Sequence, residues 1–214
     1  MTAVRVSCLM PTRARHELLP TAVANFLAQE FADAELLIVS EDGVPDSIAP
    51  ALASGRVRHI PCPPGLSLGA KRNFACQAAQ GELLAHWDDD DWYARDRLGR
   101  QVQALLAKPG KALCGSSRVY FRDLSGERAW EYRYQGNRQP WLCGATLLYR
   151  REFWLAHPFP DRSIGEDNHF VWSADAAEVI DLADSALCIA SVLWWVGVQK
   201  LGSLGGRTLL WFLA

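Results

Sequence analysis

The chain has 214 residues, of which 50% are hydrophobic and 21% charged, and its formal net charge is −2. That composition suits one globular domain with a sizeable core, and a charge so near neutral, with no basic run, argues against a nucleic-acid-binding surface. The six cysteines (Cys8, Cys62, Cys76, Cys114, Cys143 and Cys188) are spread out with no CxxC pair, which argues against a disulfide frame and a structural zinc site and reads as reduced, buried thiols in the cytoplasm.

The N-terminus lacks a basic region followed by a long apolar stretch, so no signal peptide is expected. "VRVSCLM" (4–10) is a short β-like run ended by Pro11. Residues 16–29 place Leu19, Val23, Phe26 and Leu27 at helical spacing, with Pro20 near the start, where proline is tolerated. "ELLIVS" (35–40) is a near-continuous apolar run of the kind buried on both faces of a parallel sheet. "EDGVPD" (41–46) is turn chemistry, followed by a short helix near 46–53 and a strand over 56–60.

"SLGAKRNFACQAAQG" (67–81) reads as a helix that Ser67 could cap and Gly81 could end. "ELLAHW" (82–87) is a second buried strand and runs straight into Asp88, Asp89, Asp90 and Asp91. A helix over 95–107 carries Leu98, Val102, Leu105 and Leu106 on one side. The first half therefore alternates strand and helix, the pattern of parallel βαβ units.

The second half differs. Residues 111–121 and 128–134 read as strands joined by a hairpin-like turn, and 144–154 as a strand leading into a helix. Residues 165–174 begin a helix with acids in its first turn, where the helix dipole favours them, and 177–182 form a late strand. The segment 185–214 has no acidic residue and poor periodicity, and its most apolar part, 186–198, is too short to span a membrane.

In open parallel sheets ligands sit beyond the carboxyl ends of the strands. Asp42 and the Asp88–Asp91 run both fall there, so both should face one crevice. Four adjacent carboxylates repel one another unless a cation arrives. Asp88 and Asp90 can point the same way from a strand end and offer hard oxygen ligands to Mn²⁺ or Mg²⁺, which complete their shell with water and substrate phosphates. The plainer alternatives stay open: a solvated acidic turn or a helix cap. Likewise Lys71-Arg72 suits either phosphate contacts or the wet face of a helix, Glu166-Asp167 either catalysis or helix-start acids, and Asp42 a ligand contact or a turn. His86 is expected to pack or hydrogen-bond rather than bind metal, and His169 is left without a role.

The ordered set "VSCLMPTR", "LLIVSEDG", "GLSLGAKRNFACQAAQGELLAHWDDDDW" and "GEDNHFVW" resembles family 2 glycosyltransferases of the GT-A fold over about residues 4–184. The resemblance implies an α/β fold: one GT-A domain over 1–184, with a mostly parallel, Rossmann-like sheet between helices and a smaller antiparallel acceptor-side portion. Residues 1–108 would be the nucleotide-sugar half, 109–184 the acceptor half, and 185–214 an apolar tail of unassigned fold. It further implies that Pro11, Thr12, Glu41, Asp42, Lys71, Arg72, Asp88 and Asp89 serve the donor. Asp88 and Asp90, the family's DxD pair, would hold Mn²⁺ or Mg²⁺, with Asp91 adding a contact. Asp167 would be the catalytic base beside Glu166, and Trp141 and Gly144 would shape the acceptor side.

The implied activity is metal-dependent, inverting transfer of a hexosyl group from a nucleoside diphosphate sugar, UDP-linked, to a glycan, lipid or small-molecule hydroxyl in cell-surface polysaccharide synthesis. One departure stands out. The family's histidine shortly after the last core strand is replaced by Leu193, and no histidine follows His169. This leaves two readings of the C-terminus: an altered end with weakened activity, or an apolar tail that docks on a membrane, a partner or a second copy. The alternative function is a catalytically weak nucleotide-sugar-binding or scaffold protein. A nucleotidyltransferase is disfavoured because no Gly-rich pyrophosphate loop follows the first strand.

Overall fold

The computed structural model describes residues 5–123, 128–136 and 139–192. Its central element is a seven-stranded sheet. The strands in chain order are β1 (Val6–Pro11), β2 (Ala34–Ser40), β3 (Val57–Pro61), β4 (Leu83–His86), β6 (Leu113–Gly115), β9 (Leu148–Arg150) and β10 (Val179–Asp181). Their spatial order is β10-β6-β9-β4-β1-β2-β3, and only β9 runs antiparallel to its neighbours. The second sheet has the order β5-β11-β7-β8, from β5 (Trp92–Tyr93), β7 (Arg118–Asp123), β8 (Ala129–Arg133) and β11 (Cys188–Val192). Of its three pairings only β11–β7 is parallel.

Alternation along the strands builds a core on each face of the large sheet. Val6, Cys8, Met10, Leu36 and Ile38 face α1 (Leu19–Leu27) and α4 (Arg97–Leu106), while Leu9, Leu37, Val39 and Leu84 face α3 (Leu68–Ala78), α5 (Arg151–Ala156) and α6 (Glu166–Trp172). The fold is thus the expected mostly parallel α/β sheet between helices with a smaller, mostly antiparallel partner. Every residue of β2 is buried, Glu35 included; its carboxylate is satisfied by Ser7 Oγ at 2.7 Å, Arg58 at 2.9 Å and the Gln80 N–H at 2.8 Å.

Several expectations are corrected. The short helix expected near 46–53 is a 3-10 turn (Asp46–Ile48) followed by α2 (Ala49–Ala53). Ser67 does cap α3, accepting from the Ala70 N–H at 3.1 Å, but the helix ends at Ala78 rather than at Gly81. Gly81 instead lies so close to β1 that a Cβ there would meet Ser7 N at 2.6 Å and Arg5 O at 2.7 Å. Leu27 and Leu106, expected on apolar helix faces, are exposed, because each helix offers the sheet a stripe narrower than its apolar content.

The single strand expected over 111–121 is two. β6 belongs to the large sheet and β7 to the small one, and the chain crosses between them at Ser116-Ser117. Side chains satisfy the crossing: Ser116 N–H donates to Thr146 Oγ1 at 2.9 Å and Ser117 N–H to Asp181 Oδ1 at 2.9 Å. The turn expected between β7 and β8 lies largely outside the described residues, and so does Leu193. Residues 188–192, which showed no clear periodicity, form β11 in the middle of the small sheet. All six cysteines are buried and unpaired with one another. Among the described residues no helix is long and apolar enough to cross a membrane.

Candidate active site

A cleft of about 670 Å³ opens at the carboxyl ends of β1 and β4, where the two sheets meet. Pro11, Thr12, Arg13 and Arg15 line it from the end of β1, Lys71 and Arg72 from α3, and Asp88–Asp91 from the loop after β4. Trp141, Cys143 and Gly144 form the opposite side with Gly165–Asn168, and Ala190–Val192 of β11 complete the wall. Phe121 and Trp130 of the small sheet add an aromatic face.

The four aspartates have four different environments. Asp88 accepts from Arg72 at 3.3 Å, and its backbone N–H donates to the Tyr93 hydroxyl oxygen at 2.8 Å. Asp89 is buried and fully engaged: Oδ2 accepts from Thr12 Oγ1 at 2.5 Å and Oδ1 from Arg15 at 2.9 Å. Asp90 faces the same Arg15 nitrogen at 2.8 Å. Asp91 accepts from the Ser191 N–H of β11 at 2.7 Å. Thr12 and Asp89, both expected at the donor, thus tie the acidic loop to the end of β1.

Burial raises the Asp90 carboxyl above the usual range, as does the neighbouring Asp88, even against the charge of Arg15. Asp91 is pushed well above that range by burial and by Asp88 and Asp90. The four carboxylates share two guanidinium groups, Arg15 between Asp89 and Asp90 and Arg72 between Asp88 and Glu166. Arg15 is likewise raised: burial opposes its charge, but Asp89 and Asp90 prevail.

Lys71 and Arg72 are both buried, so they are not the wet face of a helix. The Lys71 ammonium donates to Thr12 O at 3.1 Å and stands 3.6 Å from Glu41, which keeps it out of the cleft's centre. Arg72 bridges Asp88 at 3.3 Å and Glu166 at 3.4 Å. Burial works against the Arg72 charge, yet Asp88, Glu166 and Asp167 hold its guanidinium above its ordinary value. Its Nη1 is buried without a hydrogen-bond partner among the described residues.

Glu41 and Asp42 stand beside the cleft and do not line it. Glu41 pairs with Arg13 at 2.8 Å and accepts from the Gly65 N–H at 2.8 Å. Asp42 accepts from the Ala14 N–H at 2.7 Å and so stabilises the left-handed turn at Ala14, φ 50°, that turns Arg15 over the aspartates.

On the far side, Glu166 is buried against Arg72; burial raises its carboxyl, with Arg72 opposing and Asp167 adding to the rise. Asp167 reaches the cleft beside Gly144, where an added Cβ would lie 2.2 Å from Asp167 Oδ2. The loop before α6 is pinned to the start of α3: Ser67 Oγ donates to Asp161 at 2.5 Å and Gly69 N–H to Arg162 O at 2.9 Å. One helix thus supplies Arg72 and anchors the segment that presents Asp167. Trp141 lines the cleft but is mostly buried, packed on Tyr132 and Tyr134. His86 is fully buried and hydrogen-bonds through Nδ1 to Gly144 O at 2.8 Å; burial, then Arg72, pushes it well below the usual histidine range. His169 accepts from Arg162 at 2.8 Å, away from the aspartates.

Among the described residues no group of three or more histidine, cysteine or carboxylate side chains is arranged to hold a metal ion. Asp88, Asp90 and Asp91, expected to share an ion, are instead directed to Arg72, Arg15 and Ser191 respectively. An all-protein cage is therefore not what this loop provides. Four successive carboxylates at the cleft, met by the two guanidinium groups of Arg15 and Arg72, do fit Mg²⁺ or Mn²⁺, which bind through one or two carboxylates and draw their other ligands from water and phosphates. The sequence pattern did not single out Arg15, Phe121 or Trp130. The only trace of Arg15 was its place in the turn after the first strand, "PTRAR".

The family model described as "Glycosyl transferase family 2" matches residues 7–171. A curated Escherichia coli protein, the UDP-Glc:alpha-D-GlcNAc-diphosphoundecaprenol beta-1,3-glucosyltransferase WfgD, is 21% identical over 173 residues, which cover 78% of this chain and 68% of WfgD. TarS 1–349 of S. aureus, solved in complex with UDP-GlcNAc, is similar in structure with a TM-score of 0.65 and 15% identity, covering 88% of this chain. The mannosyltransferase PcManGT from Pyrobaculum calidifontis, in complex with GDP-Man and Mn²⁺, gives a TM-score of 0.69 and 17% identity over 98% of this chain. This chain spans only 58% of the TarS chain and 67% of PcManGT.

Proposed function

The chain belongs to glycosyl transferase family 2 and has the GT-A fold, and on that premise we propose that it moves a hexosyl group from a UDP-linked sugar to an acceptor hydroxyl with inversion at the anomeric carbon. The observation that carries this reading is one cleft lined by both the Asp88–Asp91 loop and Asp167, with Arg72 bridging Asp88 to Glu166, the residue before Asp167. The E. coli relative uses a UDP-linked donor by name, and two structural neighbours are in complex with nucleotide sugars. These support a nucleotide-sugar donor here.

Asp90 and Asp91, with Asp88 beside them, are the residues that would hold Mn²⁺ or Mg²⁺. When bound, the ion would supply positive charge to the leaving diphosphate. Arg72 keeps Asp88 in place and has Nη1 free to donate to a donor oxygen. Asp167 takes the proton of the acceptor hydroxyl as that oxygen bonds to the anomeric carbon and the bond from this carbon to the diphosphate oxygen breaks, leaving the nucleoside diphosphate. A single displacement of this kind inverts the carbon. Phe121, with the small exposed parts of Trp130 and Trp141, gives the cleft an aromatic lining against which a sugar ring of the acceptor can pack.

The acceptor is a glycan, lipid or small molecule of cell-surface polysaccharide synthesis, reached from the cytoplasm or the membrane surface. Titration calorimetry with UDP, with and without Mn²⁺, followed by a donor-hydrolysis and transfer assay, tests the proposal. Mn²⁺-dependent UDP binding with turnover supports it. Binding without turnover, across candidate donors and acceptors, would leave a nucleotide-sugar-binding protein in its place.

A further inference from the structure

One nitrogen of Arg15 contacts carboxylates of two successive residues, Asp89 at 2.9 Å and Asp90 at 2.8 Å. This is not the two-nitrogen fork usual for arginine and a carboxylate. It is a point charge bridging two acids. The two contacts also differ in setting. The Asp89 side chain is 4% exposed and already anchored by Thr12, whereas Asp90 is 22% exposed and, among the described residues, is held by Arg15 alone. The Arg15 side chain itself is 48% exposed, so it can leave Asp90 for solvent at little cost in packing.

The placement is built, not incidental. Asp42 stabilises the left-handed turn at Ala14 that carries Arg15 across the end of β1. We propose that Arg15 is the site's own displaceable counter-ion: it neutralises Asp90 while the cleft is empty, and an incoming divalent cation must dislodge it from that carboxylate. The inference rests on the divalent-ion reading of the aspartate loop given above.

The consequence is a threshold on loading. A divalent ion carries twice the charge of the guanidinium and so wins at equal spacing, but it arrives with a tightly held water shell and must also break the Arg15 contact. A lone ion is therefore held weakly. An ion that comes with a diphosphate brings its own oxygen ligands, and its phosphate charge gives the displaced guanidinium a new counter-ion. The buried Arg72 Nη1, without a hydrogen-bond partner among the described residues, leaves a further donor for that diphosphate.

Binding of Mn²⁺ alone, followed by electron paramagnetic resonance of the free ion, tests this on the full chain. Arg15→Ala and Arg15→Gln should each bind Mn²⁺ at least three-fold tighter than wild type, with Arg15→Lys close to wild type. Adding Asp90→Asn to Arg15→Ala should abolish the gain. A thermal melt gives a second readout: Arg15→Ala should melt lower than wild type without Mn²⁺ and gain more from its addition. Equal Mn²⁺ affinity in wild type and Arg15→Ala, or a gain that survives Asp90→Asn, overturns the proposal. UDP binding by wild type, with and without Mn²⁺, separates the two ideas. Mn²⁺-dependent UDP binding with no effect of Arg15 sinks only the counter-ion. UDP binding indifferent to Mn²⁺, with no Mn²⁺ bound by any variant, sinks the metal reading and this inference with it.

Discussion

Gly144 and Asp167 share one space: a Cβ built on Gly144 would stand 2.2 Å from Asp167 Oδ2. The carboxylate of the proposed base sits where any other residue would begin its side chain. Gly144 is itself held from below by His86, whose Nδ1 hydrogen-bonds to its carbonyl. Gly144→Ala should therefore push Asp167 aside and lower turnover by about 10²-fold, the usual effect of an ångström-scale misplacement. Its affinity for UDP with Mn²⁺ should stay near that of wild type. Steady-state kinetics beside calorimetry would show the split, and a parallel loss of UDP affinity would argue against this reading of the contact.

Asp90 and Asp167 line one cleft from different segments, the loop after β4 and the start of α6, and their substitutions should separate cleanly. Asp90→Ala should abolish Mn²⁺-dependent UDP binding. Asp167→Asn should spare UDP binding and reduce transfer by roughly 10²–10⁴-fold, the range for losing a general base. Undiminished UDP binding by Asp90→Ala would remove that residue from the metal site.

Arg72 is the buried cation common to Asp88 and Glu166. Arg72→Ala would leave a buried Glu166 carboxylate unpaired, and removing one partner of a buried pair costs on the order of 3–5 kcal/mol. The melting temperature should drop by many degrees, and less in Arg72→Ala/Glu166→Gln, where the second charge is removed too. A double mutant no more stable than the single would show that the pairing with Glu166 matters little.

Asp91 supplies a prediction in pH. Burial and the charges of Asp88 and Asp90 raise its carboxyl above its unfolded value. A carboxyl raised on folding favours the folded state at pH below its unfolded value, and that contribution is lost as pH rises through the raised value. At neutral pH it therefore costs stability. Asn at this position can still accept the Ser191 N–H. Asp91→Asn should melt above wild type at about pH 8, by roughly 2–4 °C if the gain is on the order of 1 kcal/mol, and the gap should close towards about pH 4. Comparing the two proteins at each pH isolates Asp91 from groups of opposite sign, such as the depressed Glu35. A gap that widened on acidification would reverse the sign of this interaction.

Much of the large sheet was legible in the chain itself. β2 and β4 are short apolar runs bounded by turn chemistry, α3 begins at a serine cap, and the acidic quartet follows a buried strand, so local pattern alone placed Asp88–Asp91 at a strand end. The small sheet was far less legible. β11 shows little periodicity because its five residues, CIASV, are small or apolar on both faces and all buried or half-buried, and the split between β6 and β7 depends on Thr146 and Asp181 receiving the crossing backbone.

The sequence by itself determined which chemistry is available: a run of acids, a pair of basic residues on a helix, an acidic pair at a later helix start, all in the order of one family. Only the tertiary structure decided how that chemistry is shared out. Lys71, at the cleft wall, is held by the end of β1, Asp89 is a tether to Thr12, Glu166 is a buried counter-charge, and Arg15 sits on Asp90. The physical reason is that side-chain roles here are set by partners 59 to 94 residues away, and a charge has no fixed role until the fold has chosen the opposite charge that faces it.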